Sequence, residues 1–142
     1  NPDVIKDRSL SINISAKDLL QPGFCDKIVE LKQRYKIPAN QILLEVTETA
    51  IFDDSSIFKA NLSRLKEHGF NFSIDDFGTG YSSMRNVISL SPVEIKLDRM
   101  FVSSIDTSNI NHILSDCIIN LCQKIHAQSI AEALKPMKKC GR

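Results

Sequence analysis

The chain has 142 residues, of which 42% are hydrophobic and 25% are charged, with a formal net charge of +1. Because charges of both signs are scattered along it, no basic surface for nucleic acid is expected, and DNA is excluded as a partner. No apolar run approaches the ~20 residues of a membrane span, and the 4 cysteines lack metal-ligand spacing. A cytoplasmic domain with reduced thiols is expected, and a membrane anchor elsewhere in the full-length protein stays open.

The first half of the chain predicts two strands and two helices. Residues 10–15 alternate between apolar and polar side chains, the period-two pattern of a strand with two unlike faces. Residues 42–48 predict a second strand, in which the carboxylate of Glu45 lies inside an otherwise aliphatic run. Residues 22–36 carry a helical stripe made of Phe24, Ile28, Leu31 and Tyr35. A second helix is predicted from the capping cluster at residues 53–56 to Gly69, which favours a helix end.

The second half repeats this order. Residues 70–75 alternate as a strand that ends in two carboxylates, Asp75 and Asp76, before a glycine-rich polar loop. A short helix over residues 83–90 and a strand over 93–98 follow. A long helix is predicted after Ser108, and a last short strand follows at 129–132. The apolar stripe of that helix is Ile110, Ile113, Leu114, Cys117, Ile118, Leu121, Cys122 and Ile125.

Alternating strands and helices predict an α/β fold with parallel strands joined by helical crossovers. Because every second strand position is polar, a barrel with a polar lumen fits better than an open sheet covered by helices on both faces. A complete (β/α)8 barrel takes about 250 residues, so this chain supplies about five strands of one. Each strand delivers a polar side chain near its C-terminal end, which predicts one shared site: Asn13, Glu45, Asp75, Lys96 and Glu132.

Five motifs carry a family resemblance. They are Asn13-Ile14-Ser15-Ala16, Glu45-Val46-Thr47-Glu48, residues 75–83 (Asp-Asp-Phe-Gly-Thr-Gly-Tyr-Ser-Ser), residues 96–102 and Ala131-Glu132. In this order they resemble the EAL family of bacterial cyclic di-GMP phosphodiesterases, over nearly the whole chain. The resemblance implies a modified TIM (β/α)8 barrel that hydrolyses cyclic di-GMP to linear pGpG with two divalent cations, Mg²⁺ or Mn²⁺. It implies that residues 1–142 are the central and C-terminal part of one EAL domain.

The resemblance also implies residue roles. Lys96 would hold the nucleophilic water, and Asp76 would bind or orient the second metal and its bridging water. Glu132 would be a metal ligand or proton acceptor. Glu48 would anchor the loop Phe77–Ser83, which in this family is involved in metal binding and dimer contacts. A homodimer through that loop and fusion to GGDEF or sensor domains are expected. The implied metal ligands are Asn13, Glu45, Asp75, Asp76 and Glu132.

The chain also departs from the family. In the family, the Glu-Ala-Leu motif with its metal-ligating glutamate belongs to a strand several tens of residues before Asn13, and neither that strand nor the last strand with its glutamine-glycine motif is present here. After Ala131-Glu132 the family reads Gly-Val-Glu-Thr, whereas Ala133-Leu134-Lys135-Pro136 follows here. Either the loop is altered, with Lys135 in place of a second glutamate, or residues are missing between Glu132 and Ala133, which is the favoured reading. These 142 residues are expected to be inactive alone.

Three functions therefore stay open for the full-length protein. It is an active phosphodiesterase, a degenerate receptor that binds cyclic di-GMP without cleaving it, or a scaffold for association. The retained acidic, amide and lysine residues favour the first, because a receptor has no need of a metal cluster.

Overall fold

A computed structural model describes residues 9–78, 83–99 and 109–131 of the chain, without the side chains of Phe52 and Asn109. Five strands form one sheet in the order β1-β2-β3-β4-β5, and every neighbouring pair is parallel. The strands are β1 (Leu10–Ile14), β2 (Ile42–Thr47), β3 (Asn71–Phe77), β4 (Glu94–Leu97) and β5 (Gln128–Ala131). All five predicted strands are therefore confirmed within the described residues. Glu132 lies outside them.

Helices connect the strands, and all the α-helices except the first were predicted from the sequence. They are α1 (Ala16–Leu19), α2 (Phe24–Arg34), α3 (Ser56–Glu67), α4 (Met84–Leu90) and α5 (Asn109–Ile125), with 3-10 helices at Ala39–Gln41 and Glu48–Phe52. The hydroxyl of Ser55 caps α3 by accepting a hydrogen bond from the Phe58 amide at 3.3 Å, and Gly69 follows the helix with a φ of 84°. No helix in the described parts of the chain is long and apolar enough to cross a membrane.

One hydrophobic core joins the helices to the apolar face of the sheet. Buried strand residues of that face include Leu44, Val46, Phe72, Ile74 and Ile95. Side chains of the opposite parity are mostly polar, and one row of them lies in register across all five strands: Asn13, Glu45, Ser73, Glu94 and Gln128. The sheet therefore has one face packed on helices and one polar face, as the alternation predicted.

The predicted helical stripes are partly wrong. In α2, Leu31 is 37% exposed, and Tyr35, which follows the helix, is 67% exposed, whereas Cys25 is buried and Val29 packs on the core. In α5, Ile118 and Cys122 are buried, but the stripe's N-terminal residues Ile110, Ile113 and Leu114 are exposed. Apolar spacing identifies a helix, but the neighbouring elements decide which part of its apolar surface is covered.

Candidate active site

Lys96 and Glu45 form an ion pair across a strand that lies between them. The Nζ atom of Lys96, on β4, is 2.8 Å from Oε2 of Glu45, on β2, and 4.0 Å from Oδ1 of Asp75, on β3. Side chains of Glu45 and Lys96 are 8% and 21% exposed. The structure therefore brings two predicted site carboxylates, Glu45 and Asp75, from two neighbouring strands within ion-pair distance of Lys96 on a third.

These carboxylates keep Lys96 charged. Burial disfavours its ammonium, but the hydrogen bond to Glu45 and the charges of Asp75, Glu45 and Glu94 together raise the pKa of Lys96 above its ordinary value. A lysine with a raised pKa carries its proton at neutral pH. Lys96 can therefore donate hydrogen bonds and balance negative charge, but it does not act as a base.

A β-bulge shapes the end of β3. Ile74 pairs with Ile95 and Phe77 pairs with Leu97, so three steps along β3 match two along β4. The extra residue falls in the Asp75-Asp76 pair, and Asp76 has a φ of 53°, in the left-handed region. The bulge returns Phe77, which is 4% exposed, to the apolar face.

Sequence reasoning missed this bulge because it ended the strand at Asp75. The available signal was the parity of the aromatic and aliphatic residues, which changes between Ile74 and Phe77. Burial, followed by the charges of Asp75 and Asp98, raises the pKa of Asp76, although Lys96 acts in the opposite direction. The bulge therefore places a second carboxylate in the electrostatic field of the same lysine.

One carboxylate oxygen at this site fits a cation. Oδ1 of Asp75 is fully buried and accepts no hydrogen bond from any described group. The Lys96 ammonium, at 4.0 Å, is too far from this oxygen to donate a hydrogen bond. A buried acceptor without a hydrogen bond costs about 1–3 kcal/mol, and a bound cation would remove that cost. Carboxylate and amide oxygens are the ligands that Mg²⁺ and Mn²⁺ prefer. The donor set on neighbouring strands is of that type, with Asn13 in register beside Glu45.

Within residues 9–78, 83–99 and 109–131, no three His, Cys, Asp or Glu side chains are grouped so as to hold a metal ion by themselves. The predicted ligand set also includes the amide of Asn13, which is not an acidic group, and Glu132, which lies outside the described residues. In the arrangement described here, the ammonium of Lys96 neutralises Glu45.

Glu48 connects the end of β2 to the residue that follows β3. Its side chain is buried, with the residue only 2% exposed, and its Oε2 atom accepts a hydrogen bond from the Gly78 amide at 2.9 Å. Gly78 has a φ of 104°, in the left-handed region that glycine adopts without steric cost. The bond holds Gly78 near the start of the loop Phe77–Ser83; residues 79–82 of that loop are outside the described part.

Ser73 and Glu94 form a polar contact to which sequence analysis gave no role. Ser73 is fully buried, and its hydroxyl donates a hydrogen bond to Oε1 of Glu94 at 2.9 Å. The two residues are register partners on β3 and β4, in the row that also contains Glu45. Their parity, shared with Asp75 and Lys96, was the only signal in the sequence.

Comparison with known proteins identifies the family. The sequence model of the EAL domain family matches residues 2–135 of this chain. The chain belongs to the EAL domain family. A cyclic di-GMP phosphodiesterase of Pseudomonas aeruginosa, PA2567, is 32% identical over 126 residues, covering 89% of this chain and 22% of that protein. This chain spans about a fifth of the length of the curated relatives it matches. For a Mycobacterium bovis relative, 33% identical over 129 residues, the share is 21%.

Solved EAL structures share its fold. Klebsiella pneumoniae BlrP1, in a complex with manganese and cyclic di-GMP, matches with a TM-score of 0.83 at 26% identity, over 93% of this chain and 34% of that chain. The MucR phosphodiesterase of Pseudomonas aeruginosa, in a cyclic di-GMP complex, matches with a TM-score of 0.80 at 28% identity. The match covers 91% of this chain and 52% of the MucR chain. The predicted fold class, a fragment of an EAL-type (β/α) barrel, is confirmed.

Proposed function

We propose that this chain is part of a divalent-metal-dependent phosphodiesterase that hydrolyses cyclic di-GMP to linear pGpG. The observation that carries the proposal is the group formed by Glu45, Lys96 and Asp75 on three neighbouring parallel strands. It supports the proposal because it combines anionic ligands with one fixed cation. Its position also agrees with EAL-type barrels, in which catalytic groups lie at the C-terminal ends of the strands.

Hydrolysis of a phosphodiester needs positive charge, because the substrate is an anion that repels hydroxide. Divalent cations, when bound, activate the attacking water and stabilise charge on the phosphate oxygens. We assign Asn13, Glu45, Asp75, Asp76 and Glu132 as their ligands. The buried Oδ1 of Asp75, which accepts no hydrogen bond from the described groups, supports its place in that set.

Lys96 has two tasks in this proposal. Its ammonium donates a hydrogen bond to the attacking water, which orients a lone pair of that water toward phosphorus, and it balances charge that develops on the phosphate. The raised pKa of Lys96, which results from the neighbouring carboxylates despite burial, keeps that ammonium charged at neutral pH. The proton of the water passes to a carboxylate, and we assign Glu132 to accept it, as the alternative to its role as a metal ligand.

Glu48 anchors the loop Phe77–Ser83 through the Gly78 amide, and we propose that this loop forms a homodimer contact. Fused GGDEF or sensor domains are expected in the full-length protein. MucR of Pseudomonas aeruginosa, a relative 29% identical over 129 residues, is named a bifunctional diguanylate cyclase and cyclic di-GMP phosphodiesterase. We expect the catalytic part to face the cytoplasm.

The test uses the native full-length protein, freed of metal and then supplied with Mg²⁺, Mn²⁺ or Ca²⁺. Cyclic di-GMP and pGpG are separated by chromatography, and nucleotide binding is measured by calorimetry. The proposal predicts that pGpG forms with Mg²⁺ or Mn²⁺ and that a chelator stops its formation. Binding of cyclic di-GMP without cleavage under every metal condition would instead support the receptor. Neither binding nor cleavage would support the scaffold.

A further inference from the structure

Two hydrogen bonds join the 3-10 helix Glu48–Phe52 to the elements on either side of residues 79–82. The carboxylate of Glu48 accepts a bond from the Gly78 amide at 2.9 Å, directly after β3. The side-chain amide of Asn86, in the first turn of α4, donates a bond from Nδ2 to the Ile51 carbonyl at 3.2 Å. The same short helix therefore meets the end of β3 and the start of α4.

These two bonds are attached to the 3-10 helix one turn apart. Glu48 and Ile51 are three positions apart, which is about 6 Å along the axis of such a helix. Both residues are buried. The last carbonyls of a helix have no partner inside it, so Asn86 satisfies the Ile51 carbonyl near the C-terminal end. Because close-packed interiors transmit displacements, a shift of Ile51 is expected to move Glu48 as well.

Helix α4 is a fixed support for Asn86. Its residues Val87 and Leu90 are buried in the hydrophobic core, so they hold the helix in place. The ammonium of Lys66, on α3, donates a hydrogen bond to the Ser89 carbonyl near the other end of α4. The side chain of Asn86 therefore extends from a helix that is well held, and its bond limits the positions that the 3-10 helix can take.

The Gly78 bond lies next to the β-bulge that contains two site carboxylates. Gly78 comes two residues after Asp76, whose φ of 53° is in the left-handed region. A residue other than glycine keeps that conformation only where its surroundings fix it. Burial of Phe77 supplies one such constraint, and the bond from Gly78 to Glu48 supplies another. The place of the Asp76 carboxylate therefore depends on the place of Glu48.

We infer that Asn86 is a positioning residue for Asp76 at the proposed metal site. Its bond to Ile51 holds the 3-10 helix in place, and Glu48 at the start of that helix holds Gly78 beside the bulge. Asn86 acts only through these contacts and has no part in the chemistry itself. The inference rests on the proposed function for its effect on metal binding and turnover, whereas its effect on the Gly78 bond is independent of that function.

The first test measures the Gly78 bond itself, in the metal-free full-length protein. Hydrogen exchange at the Gly78 amide, followed by mass spectrometry, should be about threefold to tenfold faster in Asn86→Ala, the range that one hydrogen bond contributes. Alanine favours a helix more than asparagine does, so faster exchange would not result from a weaker α4. Asn86→Asp keeps the shape of the side chain without the donor and should have the same effect, and it carries the test if Asn86→Ala does not fold.

Asn71→Ala is the matched control for this test. Asn71, at the opposite end of β3, also donates from Nδ2 to a carbonyl in a 3-10 helix, that of Asn40 at 3.1 Å. Its loss should leave exchange at Gly78 unchanged. In a Glu48→Ala background, Asn86→Ala should not accelerate that exchange further, because the link between them is gone. Wild-type exchange in both Asn86 variants, or an equal acceleration by Asn71→Ala, would overturn the inference.

A second test measures the consequence for the site. Loss of a residue that supports a metal ligand typically costs about 10- to 100-fold in metal affinity or activity, so we expect Asn86→Ala to weaken Mn²⁺ binding and to lower kcat about tenfold. KM for cyclic di-GMP should change less than about twofold, because no substrate contact is removed. Asn71→Ala should change none of these quantities.

The two tests keep the inference separable from the proposed function. Should the wild type fail to hydrolyse cyclic di-GMP, the proposed function fails, and exchange at Gly78 still decides whether Asn86 supports the Glu48 bond. Faster exchange in Asn86→Ala together with wild-type Mn²⁺ affinity and kcat would overturn the positioning role.

Discussion

Lys96→Met should separate stability, binding and chemistry at the proposed active site. Methionine keeps much of the stem but removes the ammonium that lies 2.8 Å from Glu45 and 4.0 Å from Asp75. Because the Glu45 side chain is only 8% exposed, its carboxylate is left buried without that cation. Breaking a buried ion pair in this way costs 3–5 kcal/mol, and since Lys96 is partly exposed we expect about 3 kcal/mol in the metal-free protein.

Bound metal should recover part of this loss. If Glu45 and Asp75 are metal ligands, a divalent cation supplies the positive charge that the variant lacks. A ligand present at about 100 times its dissociation constant stabilises the folded state by about 2.7 kcal/mol. Turnover should nevertheless fall by about two to four powers of ten, the range for losing one preorganised electrostatic contact, because metal does not replace the donor to the attacking water.

The assay combines three measurements on the native full-length protein. Urea unfolding with and without Mn²⁺ gives the stability change, calorimetry gives the affinity for cyclic di-GMP, and single-turnover chromatography gives the rate of pGpG formation. Lys59→Met is the matched control, since Lys59 forms a pair with Asp54 that is exposed at the surface, with side chains 61% and 88% exposed. It should leave all three quantities almost unchanged.

Two results would refute this reasoning. Wild-type cleavage by Lys96→Met would show that the lysine is only an ion-pair partner. If Mn²⁺ does not raise the free energy of unfolding of Lys96→Met above its metal-free value, Glu45 and Asp75 do not hold a metal.

Three further substitutions test other parts of the site and fold. Asp75→Asn should abolish hydrolysis of cyclic di-GMP and weaken Mn²⁺ binding, because a buried anionic ligand becomes neutral. Calorimetry measures the binding, and the circular dichroism spectrum should stay native. A wild-type rate with saturating Mn²⁺ would remove Asp75 from the ligand set. Glu48→Ala should cost about 2 kcal/mol of stability, since a buried charged acceptor of the Gly78 amide is lost, and hydrogen exchange should be faster at that amide; unchanged exchange would contradict the anchoring role. Two hydrogen bonds, first from the Ser15 side chain and second from its backbone, lower the pKa of Asp18. The stability that these bonds contribute is therefore fully present above the ordinary pKa of 3.8, and it is lost as the pH falls through the lowered pKa. Urea midpoints of wild type and Asp18→Asn should therefore converge in acid, and a constant difference down to about pH 2 would refute this assignment.

The sequence alone determined which residues form strands and which of their side chains are polar. Alternation is a local property, because the pleat of the backbone turns successive side chains to opposite faces whatever the partner strand is. Parallel pairing followed from the helices between the strands. Together these were enough to bring Asn13, Glu45, Asp75 and Lys96 to one polar face, and the motifs around them were enough to indicate the family.

The tertiary structure decided how those residues meet. Lys96 pairs with Glu45, two strands away, and Glu48 bonds to Gly78, 30 residues later. The bulge at Asp75-Asp76 and the exposed parts of α2 and α5 also depend on neighbours that no local pattern specifies. Side-chain periodicity gives the face of a residue, whereas register, strand order and the reach of each side chain determine its partner, and these exist only in the assembled sheet.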